Sequence, residues 1–283
     1  MSDIALKVLP KSYVYKIHRQ KYFAAGGQPV PSGDPKVNSL LAQLKADGVV
    51  VVPGYFDRDR ALAAGPALRA KAFEIIKQEK PTNKFHNLPQ YGIVRVLGAE
   101  TLDPLAAEFF NDPVIAQVAK AYTCERIVSW QRMFEIRDDK PIIGSADEYH
   151  IDEAFYYKFK AFLYLSDVTP ETAPYTYLKG SHRDATWREK RMSRMLNHDI
   201  YGPVVADGDR GTGFDARQID FLSKRYNYER VACCGKAGTL ILTDTNGIHR
   251  GTTPISGGRL MLGHYFELPR KGIWPPTNKS AAY

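Results

Sequence analysis

One group of residues in this chain has the types and spacing for metal chemistry: His150-Ile151-Asp152, with His249 a further 97 residues on. Two imidazoles and one carboxylate suit a facial triad, which holds Fe(II) on one side and leaves positions open for oxygen and a co-substrate. On an extended segment, His150 and Asp152 share a face and can converge on one ion. A second triplet, His182-Arg183-Asp184, has the same spacing but follows Lys179-Gly180-Ser181 at the entry to a polar stretch, where a loop is expected. His150 instead leads into a strand-like run from Phe155 to Leu165. A metal constellation needs rigid support, so strand context favours His150 and Asp152.

For the distal ligand, His249 competes with His264. His249 follows a β-branched run and a Thr-Asn-Gly turn, whereas His264 lies mid-strand beside Tyr265 and Phe266, the setting of a packed core histidine. Arg259, ten residues beyond His249, supports the former. A guanidinium there is a natural bidentate partner for a dicarboxylate co-substrate. A zinc hydrolase would use similar ligands but gives Arg259 no role.

The elements that must position these groups are legible in outline. Val37, Leu40, Leu41 and Leu44 recur at helical spacing over 35–47. Val49 to Val52 is a β-branched strand between turn residues. Residues 57–78, capped by Asp57, and 103–121 read as helices, and 126–137 as a strand. Strands then dominate: 155–167, 231–232, 239–243 and 259–268. Helices first and short strands later predict an α+β domain around an antiparallel sheet or barrel. With no repeat and no clear linker, residues 1–283 read as a single domain. Residues 1–34 are an irregular arm, and 183–230 a charged insertion that reads equally as a lid or as solvated decoration.

Composition narrows the function. The chain is 44% hydrophobic and 25% charged, which fits a folded globular protein rather than a disordered one. The longest strongly apolar run, Gly48 to Pro53, is far too short to span a membrane. The first thirty residues show no secretory h-region; they are basic, and an ordinary arm outweighs a transit peptide. Cys124, Cys233 and Cys234 form no disulfide framework, so a reducing cytoplasm is the default. The formal charge of +8 favours acidic partners. No basic run interleaved with aromatics is present, so nucleic acid is a poor candidate beside a small anionic molecule.

The segments also carry a family likeness. Ala46-Asp47-Gly48-Val49-Val50-Val51-Val52-Pro53-Gly54, His150-Ile151-Asp152, Leu178-Lys179-Gly180-Ser181-His182-Arg183, Gly238 to Asp244, His249-Arg250-Gly251 and Arg259 occur in the order of the corresponding motifs of the phytanoyl-CoA dioxygenase family, which the chain resembles from about residue 42 to 268. The resemblance implies a double-stranded β-helix (jelly roll) with flanking N-terminal helices. It also implies Fe(II) on His150, Asp152 and His249, and 2-oxoglutarate paired through Arg259, with O2 as oxidant. It makes the Gly-Ser-His segment structural or near-site rather than the metal triplet. Tyr164, Gln131 and Arg132 are further candidates for contacts near the co-substrate. Iron halogenases of this broad class lack the carboxylate; with Asp152 present, hydroxylation, desaturation or ring formation is expected instead. The expected substrate is a small molecule: a natural product, lipid or acidic metabolite. The alternatives are an oxygenase acting on nucleic acid or protein, and a non-catalytic member of the fold.

Overall fold

The structure, a computed structural model, describes residues 32–78, 93–123, 128–139, 148–152, 158–182, 213–267 and 281–282. The arm up to residue 31, the aromatics Phe155 to Tyr157, and residues 183–212 of the insertion lie outside these.

Helix α1 (Pro35–Asp47) opens the described chain, and three of the early helices begin alike. In α1, α3 (Pro104–Phe110) and α4 (Pro113–Tyr122), an aspartate caps the first turn and a proline follows it. The carboxylate accepts N–H bonds that the first turn cannot satisfy, and proline supplies a helical φ where no N–H is needed. The second Asp-Pro pair corrects the sequence expectation of one helix over 103–121. Asn111 closes one helix and Asp112 caps the next, with Pro113 as its first residue, where no N–H is needed. Helix α2 (Arg58–Gln78) lies between strands β1 (Val49–Val52) and β2 (Ile93–Leu97).

The remaining strands are β3 (Val128–Arg137), β4 (Tyr149–His150), β5 (Lys158–Tyr164), β6 (Tyr175–Leu178), β7 (Gly213–Phe214), β8 (Arg230–Cys233), β9 (Leu240–Asp244), β10 (His249–Gly251), β11 (Arg259–Glu267) and β12 (Ala281–Ala282). They form two antiparallel sheets. The larger runs β1-β9-β5-β11-β3-β2-β12, and the smaller β7-β4-β10-β6-β8. Crossing from sheet to sheet along the chain gives the jelly-roll arrangement.

Alternation along the strands divides the apolar residues into three layers. Val50, Leu163, Leu242, Leu262 and Phe134 face helices α1 to α4. Val49, Phe162, Tyr164, Ile241 and Met261 of the large sheet meet Tyr175, Tyr177 and Cys233 of the small one between the sheets. Tyr149, Ile151, Leu178, Phe214 and Ile248 pack on the far side of the small sheet. Helix α5 (Ala216–Tyr226) covers that side through Ile219 and Leu222, and starts with a reciprocal capping box between Asp215 and Gln218. From Gly213 onward the charged stretch is therefore ordered: β7 pairs with β4, and α5 roofs the small sheet. No helix among the described residues is long and apolar enough to cross a membrane.

His264 belongs to the helix-facing layer. It is buried among Phe109, Phe110 and Phe266, and its Nε2 shares a hydrogen bond with the Ser129 hydroxyl. Burial, helped by the nearby Arg132 charge, lowers its pKa from 6.5 to about 3. The unfolded chain takes up this proton below pH 6.5 and the folded one does not, so stability falls as pH drops from 6.5 toward 3. The slope contributed by this group approaches about 1.4 kcal/mol per pH unit. Urea titrations between pH 4 and pH 7 should show the slope flattened in His264→Gln.

Candidate metal centre and co-substrate pocket

The three proposed ligands meet because two short strands pair. His150 of β4 and His249 of β10 are direct cross-strand partners, and the Asp152 N–H donates to the Thr245 carbonyl at 3.0 Å. Their direction follows from their neighbours. Tyr149, Ile151 and Ile248 are held in the outer cluster under α5, so His150, Asp152 and His249 are turned between the sheets. One ligand atom from each comes within 4.8 Å of the others. The imidazole centroids are 4.4 Å apart, and Asp152 Oδ1 lies 3.9 Å from His150 Nε2 and 3.8 Å from His249 Nε2.

The hydrogen bonds on the far side of each ring set its chemistry. His150 Nδ1 lies 2.8 Å from the Glu148 carbonyl, and His249 Nδ1 lies 2.9 Å from the Gly247 carbonyl. A carbonyl only accepts, so both Nδ1 atoms carry hydrogen and both Nε2 lone pairs face inward. Both rings are biased toward the neutral form. Burial lowers the His150 pKa against the pull of Asp152, and burial with the adjacent His150 lowers that of His249 further. Two imidazole lone pairs and a carboxylate oxygen thus converge at distances too long for hydrogen bonds. That donor set suits a divalent transition ion, and the rings are already turned to receive it.

Asp152 is anchored from its other side. Lys160 Nζ, on β5, sits 2.6 Å from Asp152 Oδ2 and 4.2 Å above the Tyr265 ring. Burial disfavours the ammonium, but Asp152 outweighs it and the lysine pKa is raised. Tyr175 and Tyr177 pack beside His249, the latter nearly parallel to it at 16°.

The Gly-Ser-His segment supports the distal ligand. The Ser181 hydroxyl accepts the Ile248 N–H at 2.7 Å, His182 Nε2 lies 3.2 Å from the Lys45 carbonyl, and Gly180 N–H donates to the Asp47 carbonyl. His182 thus packs beside α1, and the twin triplet's Asp184 lies outside the described residues. Two glycines make room for this packing. A Cβ on Gly247 would stand 1.8 Å from the Tyr177 hydroxyl. At Gly48, with φ of +80°, a Cβ would stand 2.4 Å from both that hydroxyl and His182. Ser181→Ala leaves the buried Ile248 N–H without an acceptor, at an expected cost of about 1–3 kcal/mol. A lowered urea midpoint together with weaker metal binding would identify Ser181 as a support for His249.

Arg259 takes the inward face of β11 with Met261, and it is buried. Its Nη1 donates to the Ala173 carbonyl at 2.7 Å and its Nη2 to Glu135 Oε1 at 2.6 Å, while its buried Nε–H has no acceptor. Glu135 is shared, since Arg95 Nε donates to its other oxygen at 2.6 Å. Burial works against the glutamate charge, but Arg95 and Arg259 prevail and lower its pKa to about 2. Arg95 in turn acts electrostatically on His150 and Lys160. The proposed ligands and the Glu135–arginine cluster are thus coupled electrostatically through Arg95.

Of the other sequence candidates, Tyr164 is fully buried on the inward face, with its hydroxyl donating to the Cys233 carbonyl and accepting from the Tyr175 N–H. Gln131 is the cross-strand partner of Tyr265 and shares its inward face. Arg132 points the other way: its Nε donates to Ser129 on the helix side, 3.7 Å separates it from Glu100, and this corrects its proposed place near the co-substrate. Sequence patterning gave no notice of Lys160, Glu135 or Arg95. The available signal was a charge at the inward position of an otherwise apolar strand, as in Phe159-Lys160-Ala161 and Phe134-Glu135-Ile136.

A jelly roll carrying a His-x-Asp and a distal His between its sheets defines a non-haem iron oxygenase that uses a 2-oxo acid. The chain belongs to the phytanoyl-CoA dioxygenase (PhyH) family, whose profile matches residues 44–260. Similar solved structures include EctD from S. alaskensis with bound Fe, at a TM-score of 0.56 and 18% identity over 85% of this chain and 78% of that one. HygX from Streptomyces hygroscopicus, with nickel and 2-oxoglutarate bound, matches at 0.52 and 13% over 84% and 88%. The epimerase SnoN, in complex with Fe3+, alpha ketoglutarate and nogalamycin RO, matches at 0.52 and 17% over 88% and 96%. No curated protein sequence gives a significant match.

Proposed function

We propose that this protein is an Fe(II)/2-oxoglutarate-dependent dioxygenase that oxidises a C–H bond of a small, acidic or lipid-like molecule. The observation carrying this reading is the convergence of two imidazole lone pairs and a carboxylate oxygen, with both rings fixed by carbonyls behind them. His150, Asp152 and His249 would hold the metal, and Arg259 the distal carboxylate of 2-oxoglutarate through its remaining N–H groups. When bound, iron and co-substrate together activate O2, with 2-oxoglutarate converted to succinate and CO2.

The chain supplies orientation and dryness. Lys160 holds one oxygen of Asp152, while the other faces the Nε2 atoms of both imidazoles. Tyr175, Tyr177 and Phe162 wall the space between the sheets, and excluding water there strengthens every charge interaction within it. The jelly-roll neighbours holding 5-hydroxyectoine (EctD) and nogalamycin RO (SnoN) support a small-molecule substrate, and the +8 charge supports an acidic one. The test is succinate formation by protein reconstituted with Fe(II) under O2. The expected result is turnover that requires both iron and 2-oxoglutarate and stops on chelation. Metal-loaded protein that leaves 2-oxoglutarate unchanged with every acidic, lipid-like or neutral small molecule tried would overturn the reading.

A further inference from the structure

A buried glutamate already occupies the arginine assigned to the co-substrate. We propose that Glu135, shared between Arg95 and Arg259, sets the strength of the co-substrate pocket and keeps 2-oxoglutarate and succinate exchangeable. The inference rests on the function proposed above and concerns Glu135 and Arg95, which that function does not use.

The geometry is specific. Glu135 gives one oxygen to each arginine, both at 2.6 Å, and its side chain and that of Arg259 are each only 5% exposed. Residues 95, 135 and 261 are consecutive cross-strand partners on β2, β3 and β11, so the glutamate lies on the same inward face as Arg259, one cross-strand row away. Glu135 sets one negative charge against these two guanidinium charges, and it lies directly on the guanidinium proposed to receive the distal carboxylate. Without the glutamate neither guanidinium would meet this opposing charge, in a site where water and salt screen little. A dicarboxylate would then be held harder, and so would the dicarboxylate product that must leave before the next turnover. Arg259 still has its buried Nε–H to offer, so the pocket is weakened by Glu135 but not closed. Arg137, the cross-strand partner of Arg259, is also buried and is unaltered in the variants below.

Two substitutions should move binding in opposite directions. Glu135→Gln keeps the shape and removes the charge. Arg95→Gln leaves the whole glutamate charge against Arg259. Calorimetric titration of the anaerobic Fe(II)-loaded protein with 2-oxoglutarate, succinate and 2-oxovalerate reads the effect without turnover. In Glu135→Gln, 2-oxoglutarate and succinate should bind about tenfold more tightly or better, as expected when a like charge is removed from a poorly screened site. In Arg95→Gln both should weaken by about the same factor. The affinity for 2-oxovalerate, which lacks the distal carboxylate, should stay the same in both. Unchanged or weaker dicarboxylate binding by Glu135→Gln overturns the proposal, as does an equal shift for 2-oxovalerate. Should Glu135→Gln fail to fold, Arg95→Gln decides alone, and unchanged or tighter binding there overturns it. Wild-type protein that takes up iron but ignores 2-oxoglutarate overturns the proposed function itself, a result distinct from wild-type binding that the substitutions leave unmoved.

Discussion

Replacing Asp152 by alanine is expected to abolish iron- and 2-oxoglutarate-dependent succinate formation, a fall well beyond a hundredfold. Changes behind a ligand typically cost 10- to 100-fold in metal affinity or activity, and here a proposed ligand itself is lost. Asp152 is the only anionic side chain of the three proposed ligands. The variant has a second effect. Lys160 sits 2.6 Å from Asp152 Oδ2 and is buried, so alanine at 152 strands an ammonium in an aromatic interior. Removing one partner of a buried pair costs about 3–5 kcal/mol, so unfolding alone could silence the enzyme. The double variant Asp152→Ala/Lys160→Met separates the two effects. It should recover much of the urea midpoint because no buried charge is left unpaired, and it should still fail to bind Fe(II). Turnover by either variant at the wild-type rate would remove Asp152 from the metal site.

The placing of His150 and Asp152 on one face was legible because its signal is local. His150 and Asp152 are two apart, and the apolar residues on either side of His150 fix their face once Tyr149 and Ile151 find a core. The helix starts were equally local. Three Asp-Pro pairs mark three first turns, and the one at Asp112-Pro113 also marks the break that spacing of apolar residues passes over. Helix α5 was hidden differently: its capping box is a sequence signal, but few apolar residues and many charges surround it. The partners of the site were not legible, for a physical reason. Lys160 meets Asp152 across two sheets, and Glu135 meets Arg95 and Arg259 across three strands, its partners 40 and 124 residues away. Such pairs depend on register, and a shift of one residue turns each side chain to the other face. The likeness to a known family could therefore propose Arg259 as a carboxylate partner but not reveal that a glutamate is already beside it.

Arg259→Gln is expected to weaken 2-oxoglutarate binding by more than about a hundredfold, because a buried charge-assisted pair to the distal carboxylate is lost. It should also destabilise the fold. Arg259 is the donor to Glu135 Oε1 and to the Ala173 carbonyl, and Ala173 is one of two described non-glycine residues at positive φ, here +63°. A left-handed alanine costs about 1–2 kcal/mol on its own, so the arginine holds the turn before β6 besides its proposed role in the pocket. Lysine should not rescue either role, since one ammonium cannot reproduce a planar fork that reaches two acceptors and a ligand. A purely structural arginine and a co-substrate arginine then predict different results. If Arg259 only holds the turn, Arg259→Gln should reduce 2-oxoglutarate and 2-oxovalerate binding alike, in step with its stability. If it receives the distal carboxylate, 2-oxoglutarate should be lost and 2-oxovalerate kept. Adding Glu135→Gln to Arg259→Gln removes the carboxylate charge that the lost arginine leaves half-paired. That addition should raise the urea midpoint and leave 2-oxoglutarate binding unrepaired, because the pocket then has no guanidinium on β11 to receive it.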